Sequence, residues 1–115
     1  MTNWGGAERN AYVRRSAFDL AAAEYRAAIA LRPGNAKAHA NLAFALLRLG
    51  DARSAEHHGR AAVAADPDFA LARFHLAAAL ERLGKLDEAK VSYQEALRLD
   101  PNFAEARRAI ERLGG

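Results

Sequence analysis

The chain has 115 residues, no cysteine, and a net charge of +3 from 17 basic and 14 acidic residues mixed along its length. Its hydrophobic share of 51% is enough for one compact domain with a useful core. The absence of cysteine excludes disulfides, thiolate nucleophiles and thiolate metal sites, and the small, dispersed charge excess is only slight evidence for a polyanionic partner. Thirty residues are alanine and only six are β-branched (Thr2, Val13, Ile29, Val63, Val91 and Ile110), a bias toward closely packed helices and away from strands. The longest apolar run, Leu42 to Leu47, is too short to span a membrane. Residues 1 to 6 have neither the basic cluster nor the apolar run of a signal peptide. The compartment is left open, with a weak leaning to the cytoplasm.

Residues 1 to 6 read as a flexible segment in which Trp4, flanked by Gly5 and Gly6, is free to fold back over the first hairpin. The first unit reads as a helix from Ala7 to Arg15, a turn at Ser16 and a second helix from Phe18 to Leu31, closed by Pro33. Next comes a helix from Ala36 to Leu49, where Leu42, Ala45, Leu46 and Leu49 share one stripe at spacings of three and four. Gly50 permits the left-handed conformation that ends it. A helix from Ala52 to Ala65 then stops at Asp66-Pro67, because the residue before proline is pushed out of helical geometry. The third unit repeats the plan: Ala70 to Leu83, Gly84, Leu86 to Leu99, Asp100-Pro101.

Pro33, Pro67 and Pro101 stand 34 residues apart, as do Gly50 and Gly84, with Ser16 at the equivalent place in the first unit. A last helix runs from Ala104 to Leu113, and its Glu111-Arg112-Leu113-Gly114 duplicates Glu81-Arg82-Leu83-Gly84. Its polar Glu105, Arg107, Arg108, Glu111 and Arg112 suit a helix that covers the last hairpin and faces water, with truncation within a longer array as the competing reading.

In this register the sequence resembles the tetratricopeptide repeat family, whose pattern joins W-x2-L-G-x2-Y to A-x3-F and P within 34 residues. Leu76, Leu80, Ala89, Tyr93, Ala96 and Pro101 fall on it in the third unit, and Leu42, Leu46, Ala55, Ala62 and Pro67 in the second. The first contributes Tyr12, Ala21, Tyr25, Ala28 and Pro33. The resemblance implies an all-α, right-handed superhelical solenoid of three hairpins (about 7–33, 36–67 and 70–101) plus a capping helix (104–113). Gly59 stands where the pattern wants a large aromatic residue. A glycine inside a helix costs about 0.5 to 1 kcal/mol relative to alanine, so the second hairpin is expected to be the softest, with His58 or Phe74 as candidates to fill the missing volume.

The resemblance also implies that the first helix of each hairpin lines a concave groove for extended peptide segments. Carried over residue by residue, the candidate peptide-binding set is Asn10, Arg14, Lys37, Asn41, Phe44, Leu47, Arg48, Leu71, Phe74, His75 and Arg82. Phe44, Leu47, Leu71 and Phe74 would either offer apolar surface or fold down between adjacent first helices, and Arg14, Lys37, Arg48 and Arg82 would favour a peptide bearing carboxylates. Asn10 and Asn41 match asparagines with which chaperone-binding members hold a terminal carboxylate. Gly6, Leu71 and His75 stand where those members carry lysine or arginine, which weighs against a chaperone tail. The four histidines show no ligand spacing with a carboxylate on the same face, and no motif for catalysis or for a cofactor is present.

The expected function is therefore a protein-interaction module for a partly apolar, acidic peptide segment, with a self-assembling structural repeat as the alternative. RNA binding is a third reading that the interspersed acids oppose.

Overall fold

The computed structural model describes residues 4–114, with side chains from residue 9 onward. The expectation for the Trp4 side chain lies outside the described residues. Six helices follow one another: α1 (Trp4–Leu31), α2 (Ala36–Arg48), α3 (Ala52–Ala65), α4 (Ala70–Arg82), α5 (Leu86–Leu99) and α6 (Ala104–Arg112). Among the described residues there is no strand. Each helix packs on the next, with a further contact between α2 and α4, so the chain is an all-α repeat solenoid.

The turns inside the two complete hairpins are built as the glycines require. Gly50 and Gly84 take φ values of +87° and +80°, which any side chain would strain. Past each glycine an amide donates back along the helix, from Asp51 N to the Leu46 carbonyl and from Lys85 N to the Leu80 carbonyl, both at 2.9 Å. The helix starts are tied by the Asn35 side chain, which accepts from Ala38 N at 3.0 Å, and by Asp51, which accepts from Ser54 N at 3.1 Å.

The first unit departs from the expected hairpin. Residues 7 to 31 form a single run, because α1 continues through Ser16 without a turn. Ser16 lacks the glycine freedom that Gly50 and Gly84 use. The would-be first helix also lacks the residues to close a hairpin. Glu8 and Arg9 occupy the register positions at which Leu42 and Ala43, and Leu76 and Ala77, are buried. Folding back would bury two charges, which costs more than continuing the helix.

The core runs through the stack in two main patches. One joins Ala22 of α1 to Leu42, Ala43, Leu46 and Leu47 of α2 and Ala55 of α3; the other joins Leu76, Ala77 and Leu80 of α4 to Ala89 and Tyr93 of α5 and Ala109 of α6. The gap expected at Gly59 is absent. Neither His58 nor Phe74 fills it; α4 has closed in, so that a Cβ at Gly59 would sit 3.1 Å from both Cα and Cβ of Leu76. The glycine permits a close helix approach.

Candidate functional site

Of the residues expected to line the groove, Phe44 and Leu71 are the exposed apolar ones, and Phe44 is 42% exposed. Phe44 stands edge-on to Phe18 with ring centroids 6.0 Å apart and lies 5.3 Å from the His75 ring. Arg48 places its guanidinium carbon 5.4 Å from the centre of the Phe18 ring, a cation–π contact at the end of α2. Phe18, Arg48, Arg14, Arg15 and Ala11 together line an open notch of about 310 Å³ between α1 and α2. Three guanidinium groups thus surround an aromatic floor. Such a site accepts carboxylates at its rim and an apolar side chain at its base.

Leu47 and His75 turn inward and are buried, so they support the groove from beneath. Burial holds the His75 imidazole down to about 4, which keeps it uncharged at neutral pH. It therefore brings no positive charge to the position where the resemblance would place one. Phe74 is half-buried against Phe103 and Tyr93, at centroid distances of 4.9 and 5.5 Å, and joins α4 to α5 and α6. Lys37 is exposed and Asn41 half-buried on α2.

Because α1 is straight, Asn10 is not folded back beside α2. It sits one turn before Arg14, whose Nε donates to the Asn10 carbonyl at 3.5 Å, on the stretch of α1 leading away from the notch. Asn41 lies about one and a half turns inside α2, and no hydrogen bond joins the two asparagines. Arg15 and Phe18 complete the notch although the repeat pattern does not place them in the groove. The signal for them is the missing glycine at position 16, which brings the second half of α1 and the residues just before it into one helical face.

Arg82 donates from Nη1 to the Leu47 carbonyl and so ties α4 to α2 across the groove floor. Farther along, Glu81 accepts from Tyr93 Oη at 2.8 Å and from Arg112 Nη2 at 3.1 Å, linking α4, α5 and α6. The Arg112 hydrogen bonds, ahead of that from Tyr93, hold the Glu81 carboxyl below the usual carboxylate range; burial, then Glu81, pushes the Tyr93 phenol up.

Two of the remaining histidines, His39 and His58, form a latch away from the groove. His39 Nε2 lies 2.8 Å from the Pro33 carbonyl and must donate to it, so His39 Nδ1 accepts from His58 Nδ1 at 3.0 Å when both rings are neutral. Burial, then the His39 and His57 rings and Arg26, holds His58 down to about 4. The latch fastens the turn before α2 to α3. Among the described residues no group of three or more histidine or carboxylate side chains converges as a metal site would require, and no helix is long and apolar enough to cross a membrane.

Family models described as tetratricopeptide repeat and TPR repeat match residues 70–103 and 10–50. No curated protein matches the chain. Among solved structures, the first such domain of Spaghetti (RPAP3), bound to HSP90 peptide SRMEEVD, is 31% identical with a TM-score of 0.82, over 93% of this chain and 85% of that one. The Arabidopsis OM64 domain is 30% identical with a TM-score of 0.84, over 91% and 87% of the two chains. The second domain of human RPAP3, in complex with HSP70 peptide SGPTIEEVD, is 26% identical with a TM-score of 0.82, over 96% and 92%.

Proposed function

The chain belongs to the tetratricopeptide repeat family, and on that footing we propose that it is a protein-interaction module that docks an extended, acidic and partly apolar peptide segment along its concave face. The observation that carries this reading is the notch in which Arg14, Arg15 and Arg48 surround the exposed edge formed by Phe18 and Phe44. The peptides in the two RPAP3 domains, SRMEEVD and SGPTIEEVD, combine carboxylates with apolar side chains, the chemistry this notch matches.

The way of holding the carboxylates is this chain's own. Leu71 is apolar and His75 is buried and uncharged, so the positive charge comes from Arg14, Arg15 and Arg48. A segment whose acidic residues flank a large apolar residue fits that layout better than one relying on a terminal carboxylate alone.

Fluorescence anisotropy with a labelled peptide of that composition, and with SRMEEVD beside it, tests the reading. Phe44→Ala and Arg48→Glu are each expected to weaken binding about tenfold or more, equivalent to ~1.4 kcal/mol, with affinity falling as salt rises. Binding that neither substitution nor salt alters would overturn it.

A further inference from the structure

α1 carries apolar residues on two opposite faces. Phe18, Ala22, Tyr25 and Ile29 pack inward toward α2. On the other side Tyr12, Val13, Leu20 and Leu31 are between 62 and 89% exposed, and they make up half of the large hydrophobic residues exposed among the described side chains. Ser16, Ala23, Ala27 and Ala30 lie exposed or only partly covered between them. One repeat pair later in the register, α5 carries Glu88, Glu95 and Arg98 where α1 has Leu20, Ala27 and Ala30. The outer face of α1 is therefore not a general property of this fold position.

The outer face has a seven-residue period. Val13, Leu20 and Ala27 form one row, and Ser16, Ala23 and Ala30 form a second row three residues on, the two rows of a coiled-coil seam. Along one edge run Asp19 and Arg26, again seven apart, and Glu24 lies on the other edge. These charges choose the orientation of a second such helix. In a parallel pair, Asp19 would face Glu24 of the other copy, and like charges would meet twice. In an antiparallel pair, Asp19 faces Arg26 of the other copy and the converse, while Val13 meets Ala30 and Leu20 meets Ala23. Large residues then lie against small ones along the seam. The opposite end of the solenoid offers no such surface, since α6 turns Glu105, Arg107, Arg108 and Glu111 outward.

We propose that two copies of the chain associate through α1, antiparallel and about a two-fold axis, with Asp19 of each copy against Arg26 of the other. The pairing leaves the notch side of α1 open.

Sedimentation equilibrium of the full chain, from low micromolar to millimolar concentration, tests this with circular dichroism to confirm folding. The wild type is expected to dimerise, and Leu20→Glu to sediment as a folded monomer. Asp19→Arg is expected to weaken the dimer about tenfold, and Asp19→Arg combined with Arg26→Asp to restore it. A wild type that stays monomeric throughout overturns the proposal, leaving the seam to some other occupant. So does a Leu20→Glu chain that dimerises like the wild type, or a double reversal no better than the single one.

Discussion

At the C-terminal end of the solenoid, α6 turns Ala106 and Ala109 inward, shows arginine and glutamate to water, and is pinned to α4 by Arg112 on Glu81. At the N-terminal end, α1 runs for 28 residues and exposes leucine, valine and tyrosine. Both ends carry a helix with no further repeat stacked on it among the described residues. One presents polar side chains to water and the other leaves apolar area to be covered. Apolar surface of that kind stabilises only if something occupies it, so the two ends differ in what they offer a partner.

Core substitutions should separate the two regions most sharply. Leu80→Ala, in the α4–α6 patch, is expected to cost about 2–5 kcal/mol in urea denaturation, whereas Leu20→Ala on α1 should cost less than about 0.5 kcal/mol under conditions where the chain is monomeric. Comparable losses would show that the outer face of α1 is packed after all.

Acidification from neutral pH should act first on the histidines in the middle of the stack. His58 and His75 have pKa values held down to about 4 in the fold, against 6.5 when unfolded, so between those limits the unfolded chain binds more protons. Stability is fully present above pH 6.5 and falls as the pH drops toward 4, by on the order of 3 kcal/mol for the buried His75. Denaturation of wild type and His75→Leu across that range checks the sign; equal slopes would remove His75 from the account.

Two further positions sharpen the contrast. Gly59→Ala gains helix propensity yet places a methyl 3.1 Å from the Leu76 backbone, so a net loss of about 1–3 kcal/mol is expected. A gain in thermal stability would show that α3 and α4 can part without cost. Ser16→Gly should cost about 0.5 kcal/mol because position 16 lies inside a continuous helix. A neutral or stabilising result there would mean that the chain turns at 16 as it does at Gly50.

The boundaries of α2 to α6 are legible in the sequence to within a residue, because proline, glycine and a three-four apolar spacing act locally and agree with one another. The first unit misleads where period and chemistry disagree. Tyr12, Ala21 and Tyr25 keep the register, but Glu8, Arg9 and Ser16 remove the burial and the turn that a hairpin needs. The groove is legible in part. Phe44, Arg48 and Arg14 can be placed from the repeat, while the inward turn of Leu47 and His75 depends on how α2 and α4 pack, which no local pattern encodes. Gly59 reads as a void only if a missing ring must leave space; helices that can move close it.

Arg82 has a consequence for selectivity. Its guanidinium already holds the Leu47 carbonyl, one of the contacts between α4 and α2. A ligand carboxylate that reaches for Arg82 competes with a bond inside the protein, one of a kind contributing about 1.5–3 kcal/mol, whereas at the α1 end the competing bond is the longer one, 3.5 Å, from Arg14 Nε to the Asn10 carbonyl. Weak acidic ligands should therefore settle at the α1 end and leave the joint between the hairpins stiff. A ligand strong enough to recruit Arg82 would loosen that joint as it binds, and its occupancy would be felt as a change in the bend of the solenoid.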